Sequence, residues 1–99
     1  MEKKHFLYKL YPPRPSFHLN QNEKEKKVME QHVEYWKELT SEKNAIVYGP
    51  VFDPKGIYGM AVIEVNNEED ADEIAKNDPA VVSKICTCEL IPMKVGMTR

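Results

Sequence analysis

Three kinds of side chain in this 99-residue sequence could do chemistry: a histidine set among apolar residues, an arginine held between prolines, and a pair of cysteines. His32 is the most informative of them. Counting about 100° per residue from Val28, the side chains of Tyr35, Val28, Leu39, Trp36 and Met29 fall in an arc from about −20° to about 100°. His32 lies near the middle of that arc, so its imidazole, set among apolar side chains, points toward the core. Histidine exchanges its proton near neutral pH, which makes His32 a candidate general acid or base. A buried imidazole that merely satisfies a partner would leave the same pattern. Trp36, on the same stripe, fits either the core or a ligand platform. Arg14, in the run Pro12-Pro13-Arg14-Pro15, could clamp a substrate carboxylate or phosphate through its planar fork, or could bond a loop carbonyl at the surface.

Other chemistries are disfavoured. Cys86 and Cys88 stand at i and i+2, where a strand separates their Cα atoms by about 6.6 Å, near the upper limit for a disulfide. Two thiols without clustered histidines do not make a zinc site, so packed, reduced cysteines and no metal are expected. The glycines around Gly49-Pro50 and Gly56-x-x-Gly59 flank a hairpin and precede no helix, so they are not a phosphate-binding loop. They are read instead as backbone positions, Gly49, Pro50 and Gly59, that lie close beside a binding pocket or make the bend. A formal net charge of −2, from 14 basic and 16 acidic residues, offers no field to attract nucleic acid or an anionic membrane. No apolar run approaches the roughly 18 residues that span a bilayer, and the first residues lack a signal-peptide core. A cytoplasmic protein without cofactor is the expectation.

The elements that must position these residues follow from pattern. Residues 5–11 alternate, with Phe6, Tyr8 and Leu10 on one face and Leu7, Lys9 and Tyr11 on the other, and Pro12 ends the strand. Asn20 or Asn22 can cap a helix that runs to about Glu42, and Glu23 and Glu25 suit its first turn. Ala45–Val51 and Ile57–Val65 read as a hairpin turning at Asp53-Pro54-Lys55-Gly56. A short acidic helix over 68–76 follows Asn66 or Asn67. Asp78-Pro79 restarts a helical turn, where Asp before Pro is what capping alone would select. Residues 85–95 read as a final strand, with Pro92 assigning it to an edge or a strand end.

The order is βαββαβ in a single domain over 1–99: an α+β, ferredoxin-like fold with both helices on one face of a four-stranded antiparallel sheet. The segment Tyr58-Gly59-Met60-Ala61-Val62-Ile63 is apolar on both faces, so the second sheet face needs a cover. A homodimer through that face supplies one.

The runs Arg14-Pro15-x-Phe17, Met29-x-x-His32-x-x-Tyr35-Trp36, Gly49-Pro50-Val51-x-Asp53-Pro54-x-Gly56-x-x-Gly59, Asp78-Pro79 and Glu89-x-x-Pro92-Met93 resemble the YciI-like (YCII-related domain) family over nearly the whole chain. The resemblance implies a ferredoxin-like fold, dimers in the manner of the dimeric α/β barrels, and a His–Asp dyad, which would be His32 and Asp78. Most members have no assigned reaction, and a dechlorinating enzyme acting on a hydroxyquinone ring is among the few characterised relatives. Where the family often has Gly at the end of the first helix this chain has Lys43-Asn44, and Asn is expected to take the left-handed cap. Two functions follow. One is a cofactor-free enzyme (lyase, isomerase or hydrolase) in which His32 and Asp78 move a proton on a small aromatic or carboxylated substrate touching Arg14, Trp36, Gly49, Pro50 and Gly59. The other is a non-catalytic module that binds a small molecule or assembles partners.

Overall fold

Period-two alternation sets the first strand, β1 (Lys4–Tyr11), and the prolines from Pro12 onward end it because they bring no amide hydrogen to a ladder. The computed structural model describes residues 2–99. Helix α1 (Glu23–Ser41) starts on a capping box: the Asn22 side chain accepts from the Glu25 amide, and the Glu25 carboxylate accepts from the Asn22 amide. The hairpin strands are β2 (Ala45–Val51) and β3 (Tyr58–Val65). Helix α2 (Glu68–Lys76) is capped by Asn67, and the single turn α3 (Pro79–Val82) by Asp78. The last strand is β4 (Thr87–Met93).

The four strands lie in the order β2-β3-β1-β4, all antiparallel, so β4 with Pro92 is an edge strand as its proline requires. One row of sheet residues, Phe6, Tyr8 and Leu10 with Ala61, Ile63 and Val65, packs in a common core with Val28 and Trp36 of α1 and Ala71 and Ala75 of α2. Helices on one sheet face and an α+β, ferredoxin-like arrangement are therefore present as the sequence predicts. Tyr35, reaching across from α1, donates its hydroxyl to the Ile74 carbonyl of α2 at 2.7 Å and ties the two helices together.

Several boundaries differ from expectation: β1 begins at Lys4, one residue early, and β4 ends at Met93 rather than Val95. The final strand begins at Thr87 rather than Ile85, because Lys84 takes a left-handed conformation (φ 65°) and the Cys86 amide donates to the Ala80 carbonyl instead of joining the ladder. Strand β3 begins one residue later than expected, after the turn in which the Gly56 amide donates to the Asp53 carbonyl. At the end of α1 the left-handed residue is Lys43 (φ 69°), not Asn44. The Lys43 amide donates to Thr40 and the Asn44 amide to Leu39, which is the double closure of a Schellman end with the left-handed residue one place earlier. The cysteines are free, and both pack on the core side even though Cys86 precedes the strand.

The other sheet face carries a row that crosses all four strands in register: Val47 pairs with Val62, Val62 with Leu7, and Leu7 with Ile91. Polar residues flank it, His5 beside Glu64 on one side and Lys9 beside Glu89 on the other. Val47 keeps 47% of its surface exposed, and the other three are only half-buried.

Candidate functional site

Among the described residues Asp78 is the one fully buried carboxylate, and four groups turn a hydrogen toward it. The Tyr8 hydroxyl from β1 and the Trp36 indole N–H from α1 each donate to Oδ2 at 2.8 Å. The Ala80 amide of α3 donates to Oδ1 at 2.9 Å, which is the capping bond foreseen for an Asp before Pro. His32 completes the set: its Nδ1 sits 2.8 Å from Oδ2 and 2.9 Å from Oδ1. A carboxylate only accepts, so Nδ1 carries the hydrogen and the neutral ring keeps its lone pair on Nε2. Burial pushes the Asp78 carboxyl up. His32, by hydrogen bond and by charge, outweighs that together with Trp36 and the Ala80 amide, and the group is held below the usual carboxylate range. It is therefore ionised at neutral pH. Tyr8 is driven the opposite way, far above the ordinary tyrosine value, by burial and then by the charge of Asp78, so it remains a donor.

Three elements, β1, α1 and α3, thus meet at one carboxylate, and the topology is what brings them together. Tyr8 belongs to the core row of the central strand β1, and His32 and Trp36 lie one helical turn apart on the inner stripe of α1. Tyr8 and Trp36 pack ring on ring at 4.8 Å between centroids, which fixes both donors.

Over His32 opens a cavity of about 260 Å³ between α1, the loop after β1 and the turn end of the β2–β3 hairpin. His32, Trp36, Gly49, Pro50 and Gly59 all line it, so five of the residues expected to form a site converge. Asp78 stands behind His32 and does not line it. The walls are mostly apolar, with Phe17, Tyr48 and Met29 prominent, and among the described residues no Lys, Arg, Asp or Glu lines them. Burial, then the charge of Asp78, pushes the Cys86 thiol in the wall up to about 11, which leaves it a protonated, poorly nucleophilic group. Among the described residues no group of His, Cys, Asp and Glu is arranged to hold a metal ion.

The family model of the YCII-related domain matches residues 8–94. The chain belongs to the YCII-related domain family. No match to a curated protein was found. The matched span takes in Tyr8, His32, Trp36 and Asp78, so the whole hub of this YCII-related protein lies within the family domain.

Arg14 is placed elsewhere. Its Nη1 and Nη2 donate to the two Glu25 carboxylate oxygens at 2.8 Å each, and Nε and Nη2 also reach the Asn20 side chain and carbonyl. The fork expected to hold a substrate anion is spent on anchoring the proline-rich loop to the start of α1, and Arg14 does not line the cavity. The two glycines also differ. A Cβ at Gly59 would come to 3.4 Å of the Leu10 Cβ, a snug contact between β3 and β1, whereas one at Gly49 would meet open space, so close packing requires no glycine at Gly49. Tyr8 escaped the sequence reading as a site residue. Its position in the core row of β1 was legible, but nothing in the alternation distinguishes a tyrosine that reaches a buried carboxylate from one that only packs.

The arginine contact has a measurable consequence. The Arg14 fork, and then the Asn22 amide, hold the Glu25 carboxyl at about 2, and Asp78 is also held low. A carboxyl that binds its proton at lower pH in the folded chain than in the unfolded one stabilises the fold above the unfolded value. That stability is lost as pH falls through the folded value. Urea midpoints followed by circular dichroism are expected to fall progressively as pH drops from about 4.5 toward 2. Glu25→Gln should flatten part of the slope, and a pH-independent midpoint over that range would contradict both assignments.

Proposed function

We propose that this YCII-related protein is a small cytoplasmic, cofactor-free acid/base enzyme that works as a homodimer through its outer sheet face. His32 Nε2 exchanges a proton with a small, aromatic or carboxylated substrate in the cavity above it, and Asp78 holds the ring in the tautomer that frees Nε2 and stabilises the imidazolium that forms. The observation that carries this reading is the bond from His32 Nδ1–H to an ionised carboxylate, with the same ring lining a cavity. Elimination, isomerisation and hydrolysis all need such a group. The saturation of Asp78 by Tyr8, Trp36 and Ala80 supports a second reading, in which the pair is part of the framework of a binding or assembly module.

Ring-nitrogen NMR followed by a deuterium-exchange screen separates them. The neutral His32 ring is expected to carry its hydrogen on Nδ1, and Asp78→Asn should shift the population toward Nε2–H. In D2O, small carbonyl and hydroxyaromatic compounds should gain deuterium with the wild type and not with His32→Gln. An Nε2–H ring in the wild type would overturn the dyad. Ligands that bind without His32-dependent exchange would favour the binding module.

A further inference from the structure

We propose that the cavity over His32 selects planar, uncharged, largely apolar ligands and discriminates against molecules that arrive already ionised as carboxylates. The inference narrows the reading above to its aromatic alternative, setting the carboxylated one aside, and rests on its Asp78 carboxylate buried behind His32. Flat surfaces surround the space: Phe17, Trp36 and Tyr48 with Pro12 and Pro50. Such walls favour a thin ring-like body, which they can stack against or meet edge-on. Gln21 and the histidines His18 and His32 provide polar contacts at the cavity, enough to orient one small polar group.

The charge balance decides the rest. With neutral His32, the pair behind the wall carries the full negative charge of Asp78, and that charge is fully buried, where water screens it least. No lysine or arginine lines the cavity to offset it. The nearest sequence candidate, Arg14, has both terminal nitrogens on Glu25. An incoming carboxylate would lose its hydration in an apolar space beside a like charge and find no cation unless it brought a proton for His32. A carboxamide of the same shape pays neither cost, and its N–H can donate to the His32 Nε2 lone pair while its carbonyl accepts from Gln21 or a wall hydroxyl.

Benzoate and benzamide share a ring and nearly a shape and differ in charge, so they test the point directly. Amide-resolved NMR titrations of the wild type at pH 7.5 are expected to show benzamide shifting the signals of Val33, Gly49 and Gly59 at the cavity, with an affinity at least about tenfold above that of benzoate. Arg14→Ala, checked for fold in the same spectra, should leave the ratio of the two affinities unchanged, since Arg14 holds the loop that carries Phe17 but does not face the ligand. Equal or tighter binding of benzoate, loss of benzoate binding in Arg14→Ala with benzamide binding kept, or no cavity shift with benzamide would each overturn the inference. The two readings fail separately. Absence of His32-dependent exchange with benzamide still preferred removes catalysis and keeps the selectivity, while a benzoate preference with the Nδ1–H tautomer intact does the reverse.

Discussion

Asp78→Ala should unfold at a much lower urea concentration than the wild type, with the free energy of unfolding reduced by about 3–5 kcal/mol, because three buried donors lose their acceptor at about 1–3 kcal/mol each. That is a large fraction of the about 5–15 kcal/mol that holds a domain of this size together. The loss is not a matter of volume. Tyr8, Trp36 and the Ala80 amide would keep their donors in a buried site with nothing to accept them, and His32 would lose its anchor. Asp78→Asn should recover only part of the loss, because its carboxamide offers one accepting oxygen and turns two donors of its own toward a ring of donors. Tyr8→Phe, which removes one donor and leaves the carboxylate with the rest, should cost about 1–2 kcal/mol. A midpoint for Asp78→Ala within about 1 kcal/mol of the wild type, at unchanged slope, would mean that these bonds do not carry the packing of α1 and α3 on the sheet.

The same hub shows how far the sequence could be read. His32 was legible because helical period is a local property: its angle on the stripe of α1 follows from spacing alone, and the ring faces inward as counted. Asp78 was legible as a cap for the same reason, since Asp before Pro has a local cause. Its pairing with His32 spans 46 positions in the chain, and only the family resemblance suggested it. The third and fourth donors, Tyr8 and Trp36, meet Asp78 across 70 and 42 positions, and no spacing rule connects residues brought together by a crossover. Arg14 illustrates the opposite case. Its fork chemistry was read correctly, but the partner is Glu25, the residue that also closes the capping box of α1, so one carboxylate takes the arginine away from the cavity. Left-handed Lys43 and Lys84 were missed because lysine has no intrinsic preference for that conformation; the closing bonds of the helix ends impose it at a cost of about 1–2 kcal/mol per residue.

A carboxylate at the centre of the outer sheet face should separate the proposed dimer without harming the fold. Leu7 is the place for it, since its side chain stands between Val62 and Ile91 in the row that crosses the sheet from Val47. Across a twofold axis one substitution alters both copies, and Leu7→Glu would bury two unpaired charges against apolar surface. That should loosen the dimer by at least about a hundredfold, equivalent to about 2.8 kcal/mol. In the isolated chain the same glutamate faces water, beside Lys9 and His5 on its own face, so thermal unfolding should change little. The arrangement of the face gives the reason for expecting a dimer in the first place. An apolar centre flanked by polar cross-strand neighbours, His5 beside Glu64 and Lys9 beside Glu89, has the anatomy of a specific interface, in which the centre excludes water and the flanks fix the register. Sedimentation equilibrium at micromolar concentration should give twice the 11.5 kDa chain mass for the wild type and the chain mass for Leu7→Glu. A monomeric wild type would leave the row Val47-Val62-Leu7-Ile91 without the partner proposed for it. A dimeric Leu7→Glu would move the contact to another surface, with the cavity over His32 still formed by a single chain.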